Sequence, residues 1–296
     1  MVGERRHPWA QALTRLPFYL LALTVLFPYY WMVSSAFKPL VEITKAPPDL
    51  FVQNPNLKNF YNPAYNPGVT DQIQGLFQRF TGVGFAGFFL NSLGITIFVT
   101  VLSLILASAA GYVLAKHKFP GSRIVFFLII GSMMIPWQVT IIPNFLTMRD
   151  LGWINSYWAL LIPGLPKAFA VFFLLQSIKG VPGELFDAAR IDGAGEIRIW
   201  WQIVLPLVRP ALAAMAIFVS LGEWNNFLWP LLVVNDDAHA TLPLALGRLA
   251  GSLATDPRAA GPIMAATLLA SIPTLIFFLL FQRQFVNGIT VGSLKG

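Results

Sequence analysis

Two ionisable side chains, Lys167 and Glu223, fall inside long apolar runs of this 296-residue chain. A charge buried in such a run is costly enough to mark a functional position, and both residues lie at a similar depth, so an intrabundle ion pair is expected. The competing reading has Lys167 snorkelling toward an interface beside Pro163 and Pro166 while Glu223 lines a wet cavity. Glu223 also opens the run Glu223-Trp224-Asn225-Asn226, close before Pro230. Amides donate and accept together and an indole ring offers a flat stacking face, so this run, with Asn91, could line a pathway for a hydroxyl-rich solute. The same amides could instead bridge neighbouring helices.

No other reactive groups converge. His7, His117 and His239 are far apart, so neither a metal centre nor a catalytic cluster is expected, and the absence of cysteine removes disulfides and thiol chemistry. Gly82-Val83-Gly84-Phe85-Ala86-Gly87 fits the spacing of a dinucleotide fingerprint, but no strand precedes it and a lipid-length apolar run follows. Its glycines more simply turn the chain into a span. No G-x-x-x-x-G-K-[ST] loop occurs, so a process needing ATP must draw it from another chain. Enzyme chemistry is disfavoured because nucleophile, base and metal set are all missing.

The elements that position these residues follow from composition. Hydrophobic residues make up 56% of the chain and charged ones 11%, more apolar surface than a soluble fold of this length buries. The net charge of +7 is dispersed through short connectors, which argues against nucleic acid. Crossing roughly 30 Å of hydrocarbon takes about 20 apolar residues as helix. Segments at about 17–37, 87–115, 123–147, 157–178, 208–234 and 262–282 qualify, giving an all-α integral membrane protein with six transmembrane helices. The domain plan is an N-terminus at 1–16, a membrane domain at 17–283 and a tail at 284–296. The N-terminal stretch has a basic front but no cleavage site, so the first span is expected to be retained.

Twelve Lys and Arg fall on the terminal side (Arg5, Arg6, Arg15, Lys116, Lys118, Arg123, Lys179, Arg190, Arg198, Arg209, Arg283, Lys295). Seven fall opposite (Lys38, Lys45, Lys58, Arg79, Arg149, Arg248, Arg258). The positive-inside bias therefore predicts both termini in the cytoplasm. Residues 38–86, with Pro47, Pro48, Pro55, Pro63 and Pro67 and a short helix expected near Asp71–Phe80, and 235–261 are then external, and 179–207 is cytoplasmic.

That cytoplasmic connector contains the sharpest local signals. Pro182, Glu184 and Asp187 favour a helix start and Gly193 a left-handed stop, predicting a short helix at about 183–192. Its Ala188-Ala189 patch beside Leu185, Phe186 and Ile191 would fit closely into a groove on another protein, or the helix would rest on lipid headgroups.

Asp187-Ala188-Ala189, then Gly193, then Ile203, Leu205 and Pro206 resemble the Glu-Ala-Ala signature of permease subunits of binding-protein-dependent ABC importers, with Asp in place of Glu. Phe37-Lys38-Pro39, Asn91-Ser92, Trp224-Asn225, Phe227-Leu228-Trp229-Pro230 and the ending from Gln282-Arg283 to Lys295-Gly296 extend the likeness to the six-span subunit of the maltose-type sugar permeases.

The resemblance implies a type I permease fold working by alternating access in a bacterial or archaeal inner membrane. It implies a heterodimer with a second permease subunit, a separate ATPase dimer holding ATP and Mg, and an extracytoplasmic sugar-binding protein. This chain itself then carries no cofactor. Carried over residue by residue, the ATPase-coupling set is Glu184, Asp187, Ala188, Ala189, Arg190, Asp192, Gly193 and Pro206. The external connector, with Gly251, Ser252, Asp256 and Arg258, would meet the binding protein, and the C-terminal tail would approach the ATPase. Alternatives are a non-sugar cargo such as a sugar phosphate, amino acid or peptide, or a secondary transporter, for which no inverted repeat or set of coupling charges is evident.

Overall fold

The structure, a computed structural model, describes residues 8–61, 84–254 and 257–291, and every described element is helical. Along the chain these are α1 (Pro8–Phe37), α2 (Leu40–Ile43), α3 (Gly84–Lys116), α4 (Ser122–Met133), α5 (Trp137–Asp150), α6 (Tyr157–Leu161), α7 (Ala168–Lys179), α8 (Glu184–Ile191) and α9 (Glu196–Ile199). A π-helical turn (Trp200–Val204) leads into α10 (Leu205–Leu207), followed by α11 (Arg209–Trp224), α12 (Leu228–Val233) and α13 (Leu242–Gly251). Single 3-10 turns at Ser252–Ala254 and Pro257–Ala259 precede α14 (Ala260–Val291).

Three stretches, Arg15–Phe37, Gly84–Lys116 and Pro257–Leu279, are long and apolar enough to cross a membrane unbroken, and the number reaches six if each of three bent helix pairs is one span. The apolar runs expected as single helices at 123–147, 157–178 and 208–234 are each in two pieces. The third breaks between α4 and α5, which meet at 101°. Pro136 caps α5 with extended backbone, and a proline disfavours helical backbone in the residue before it. The fourth breaks across 162–167, where Pro166 removes a donor, and the fifth breaks at Asn225–Phe227. The first helix starts at Pro8, with Pro17 inside it, and the last continues to Val291, past the expected boundary at 283. The connector 235–261 holds the ten-residue α13 and two 3-10 turns. The helix expected near Asp71–Phe80 lies outside the described residues.

The chain divides into two compact units. The first joins Met1–Phe85 to Leu246–Ser271. Within it the end of α1 is tied to the following segment by buried polar groups. Lys38 is fully buried, its ammonium 2.5 Å from the Asp49 carbonyl and over the Trp31 ring. The Asn59 amide donates to the Ala36 and Lys38 carbonyls at 2.9 and 2.8 Å. The Glu42 carboxylate accepts from the Gln53 and Asn54 backbone N–H groups and from the Asn54 amide.

The second unit, Ala86–Ala245 with Ile272–Gly296, holds the candidate site. Helices α4 and α11 both pack on α7. Ala107, Ala170, Leu174, Met215 and Val219 form one buried cluster of α3, α7 and α11. A second cluster gathers Tyr112, Ile178, Phe186, Ala189, Ile199, Val204 and Val208 beneath the connector. At Gly111 the helices come so close that a Cβ would sit 3.1 Å from the Leu175 backbone nitrogen.

Candidate functional site

Helix α8 is built as a self-contained block. Gly193 adopts φ +79°, a left-handed conformation that glycine takes without steric cost. Its N–H bonds the Arg190 carbonyl at 3.0 Å and the Ala194 N–H bonds that of Ala189 at 2.9 Å. This pair of bonds is a Schellman termination, which satisfies carbonyls that would otherwise be orphaned. Glu184 and Asp187 occupy the first turn, where negative charge complements the helix dipole, and Arg190 the last.

The amphipathic split of α8 differs from the single apolar patch expected. Phe186 and Ala189 turn inward and are buried, while Leu185, Ala188 and Ile191 face outward, Ile191 at 86% exposure. One alanine of the pair therefore packs the helix down, and the other sits on its open face. Asp192 caps the helix and Pro206 lies exposed in α10.

Beneath α8 lies a polar junction that sequence reasoning missed. The Glu196 carboxylate accepts from the Tyr112 hydroxyl and from the Arg190 Nε at 3.1 Å, and it lies 3.1 Å from the His117 Nε2. Arg190 also reaches Asp187 at 3.1 Å. Lys116 donates to the Val181 carbonyl at 2.7 Å and lies over the Phe186 ring. The Tyr112 hydroxyl and the Arg190 guanidinium together hold the Glu196 carboxyl below its ordinary range, against partial burial. The same contact with Glu196 keeps the Arg190 guanidinium more firmly protonated.

The two intramembrane charges meet. The Lys167 Nζ is 2.6 Å from the Glu223 Oε1, with Glu223 only 7% exposed and Lys167 30%. Both stand at span breaks: Lys167 caps α7, and Glu223 lies in the last turn of α11, before the break at Asn225. Trp224 is buried edge-on against Phe89, which withdraws its ring from any open pathway. Asn225 is exposed and donates to the Leu221 carbonyl, and Asn226 is half-buried.

Asn91 is occupied structurally. Its amide donates to the Ala238 and Ala240 carbonyls at 2.8 and 3.0 Å and accepts from the Tyr157 hydroxyl at 2.8 Å, tying α3 to the turn before α13. Ser92 completes the tie by accepting the Leu242 N–H. In the other unit Gly251 ends α13 and Arg258 stands in a 3-10 turn, whereas Asp256 and the Ser252 side chain lie outside the described residues.

Broken helices bracketing a paired charge, and a capped helix set between two candidate spans, are the build of a multi-pass membrane protein. Residues 101–291 match the family described as binding-protein-dependent transport system inner membrane component, and the chain belongs to that family. It is 35% identical over 294 residues to the arabinooligosaccharides transport system permease protein AraQ of Halalkalibacterium halodurans, covering 99% of each chain. It is 31% identical to the lactose transport system permease protein LacG of Rhizobium radiobacter, covering 93% of each. A subunit of a bacterial ABC transporter that imports alginate, an acidic polysaccharide, matches its fold with a TM-score of 0.78. That match covers 96% of this chain and 99% of the other at 23% identity. The chain thus has the all-helical type I ABC permease fold and is a transport component of the inner membrane.

Proposed function

We propose that this chain is one half of a permease pair that moves a sugar into the cytoplasm by alternating access. A separate ATPase dimer, binding ATP and Mg, grips α8 through Glu184, Asp187, Ala188, Arg190 and Asp192. The carrying observation is the build of α8: a Schellman-capped block with Leu185, Ala188 and Ile191 outward and Phe186 and Ala189 locked inward. A rigid helix with one open apolar face suits a partner's cleft, and a push on it reaches α11 through the buried cluster that holds Val204 and Val208.

In this reading an extracytoplasmic sugar-binding protein delivers the cargo to the 235–261 side, meeting Gly251, Ser252, Asp256 and Arg258, and both termini are cytoplasmic. Lys167, Glu223, Asn225 and Asn226 flank the pathway where spans four and five break. Sugar is the favoured cargo because the relatives AraQ and LacG are named for arabinooligosaccharides and lactose.

The test is to purify the chain in lipid nanodiscs with its neighbouring gene products and to measure ATP hydrolysis with the cognate binding protein across a sugar panel. Co-purification of an ATPase and stimulation by at least one sugar are expected. Stimulation only by an amino acid, peptide or sugar phosphate would reassign the cargo, and no associated ATPase would overturn the importer reading.

A further inference from the structure

Helix α8 is joined to α3 as well as to the chain that follows it, and we propose that Glu196 is a positioning residue that latches α8 to the cytoplasmic end of α3, so that one stroke drives spans two and five together. The inference rests on the importer reading above.

Three groups converge on one carboxylate: the Tyr112 hydroxyl and His117 Nε2 from the end of α3, and the Arg190 Nε from α8. Arg190 is held in turn by Asp187, the first residue of the Asp-Ala-Ala signature. Apolar packing backs the polar contacts. Tyr112 is 3% exposed and Phe186 2%, their ring centroids lie 6.1 Å apart, and Lys116 clamps the other end through the Val181 carbonyl.

The geometry differs from that of a helix merely hinged on its flanking glycines. Gly180, Gly183, Gly193 and Gly195 flank α8 on both sides, so covalent connection alone is a poor transmitter of torque. A side-chain junction to α3 turns a pivot into a lever. Charge-assisted hydrogen bonds to a half-exposed carboxylate are strong enough to set geometry and weak enough to leave the packed cluster folded without them.

The experiment uses the assembled importer in nanodiscs with its ATPase and binding protein, comparing the unsubstituted chain with Glu196→Ala, Tyr112→Phe and the double variant. Read out are the amount of ATPase co-purified, basal and receptor-stimulated hydrolysis, and ATP consumed per solute imported. Glu196→Ala is expected to retain the ATPase and basal hydrolysis but to raise ATP per solute by about fivefold, the low end of an intersite coupling. Tyr112→Phe should raise it less, and the double variant should match Glu196→Ala, because both substitutions break one junction. A wild-type ratio in Glu196→Ala overturns the latch. So does a loss of transport matched by loss of assembled complex at an unchanged ratio, which marks a purely structural role. Failure of the unsubstituted chain to bring down an ATPase overturns the importer reading itself, a distinct result.

Discussion

Lys167 and Glu223 face each other at 2.6 Å where two spans are interrupted, and each is the other's nearest compensation in a low-dielectric setting. Removing one partner leaves an uncompensated charge, whereas exchanging the two keeps the pair. Lys167→Glu alone should therefore abolish most transport, and Lys167→Glu with Glu223→Lys should recover a substantial part, measured as uptake at matched membrane expression. No recovery in the exchanged variant would mean that the two charges act separately.

A different carboxylate, Glu42, makes the segment after α1 sensitive to acid. Burial pushes the Glu42 carboxyl up and nearby Asp49 adds to that, but the Gln53 N–H and the Asn54 side-chain and backbone N–H groups outweigh both, so it sits below its ordinary 4.5. A folded-state value below the unfolded one means that folding favours the ionised form. The resulting stability is complete above pH 4.5 and decays as pH falls through the lower folded value. The melting-temperature gap between wild type and Glu42→Gln should thus be constant near neutrality and close in acid. A gap that widens on acidification would refute the assignment.

Among the elements, α3 and α7 approach closely at Gly111, where an added Cβ would meet the Leu175 backbone rather than a movable side-chain tip. Gly111→Leu should destabilise the folded chain by about 1–3 kcal/mol through forced helix separation. Gly94→Leu, at a position on α3 with nothing within 4 Å, should be tolerated in the same thermal-unfolding assay. Equal melting temperatures for the two variants would show that the contact at Gly111 is not tight.

The same scale explains what could be read in advance. Helix α8 was legible because glycine, proline and charge punctuate it on both sides. Equal depth permitted the pairing of Lys167 with Glu223 without deciding it against a snorkelling lysine. The breaks at Pro136, Pro166 and Asn225 were not legible, because hydropathy reports whether a stretch tolerates lipid and a single proline or asparagine leaves that sum nearly unchanged. The Glu196 junction was invisible for another reason: Tyr112 lies 84 residues away, and nothing local in either segment announces the other.

At the scale of the whole molecule, the Lys and Arg distribution predicts the orientation in the bilayer, with the connector Lys116–Arg123 inside and the turn after α12 outside. The chain contains no cysteine, so one introduced thiol reports one position without background. Phe119 and Asn235 suit this purpose: both are exposed, and the hydrogen bond of Asn235 to Asn155 uses its backbone N–H, which substitution keeps. In intact cells a membrane-impermeant maleimide should label Asn235→Cys and leave Phe119→Cys unlabelled until the membrane is opened. Inverted membrane vesicles should reverse the pattern. The opposite result would put α8 on the outer face, beyond the reach of any cytoplasmic ATPase, and the importer mechanism would have no place to receive its energy.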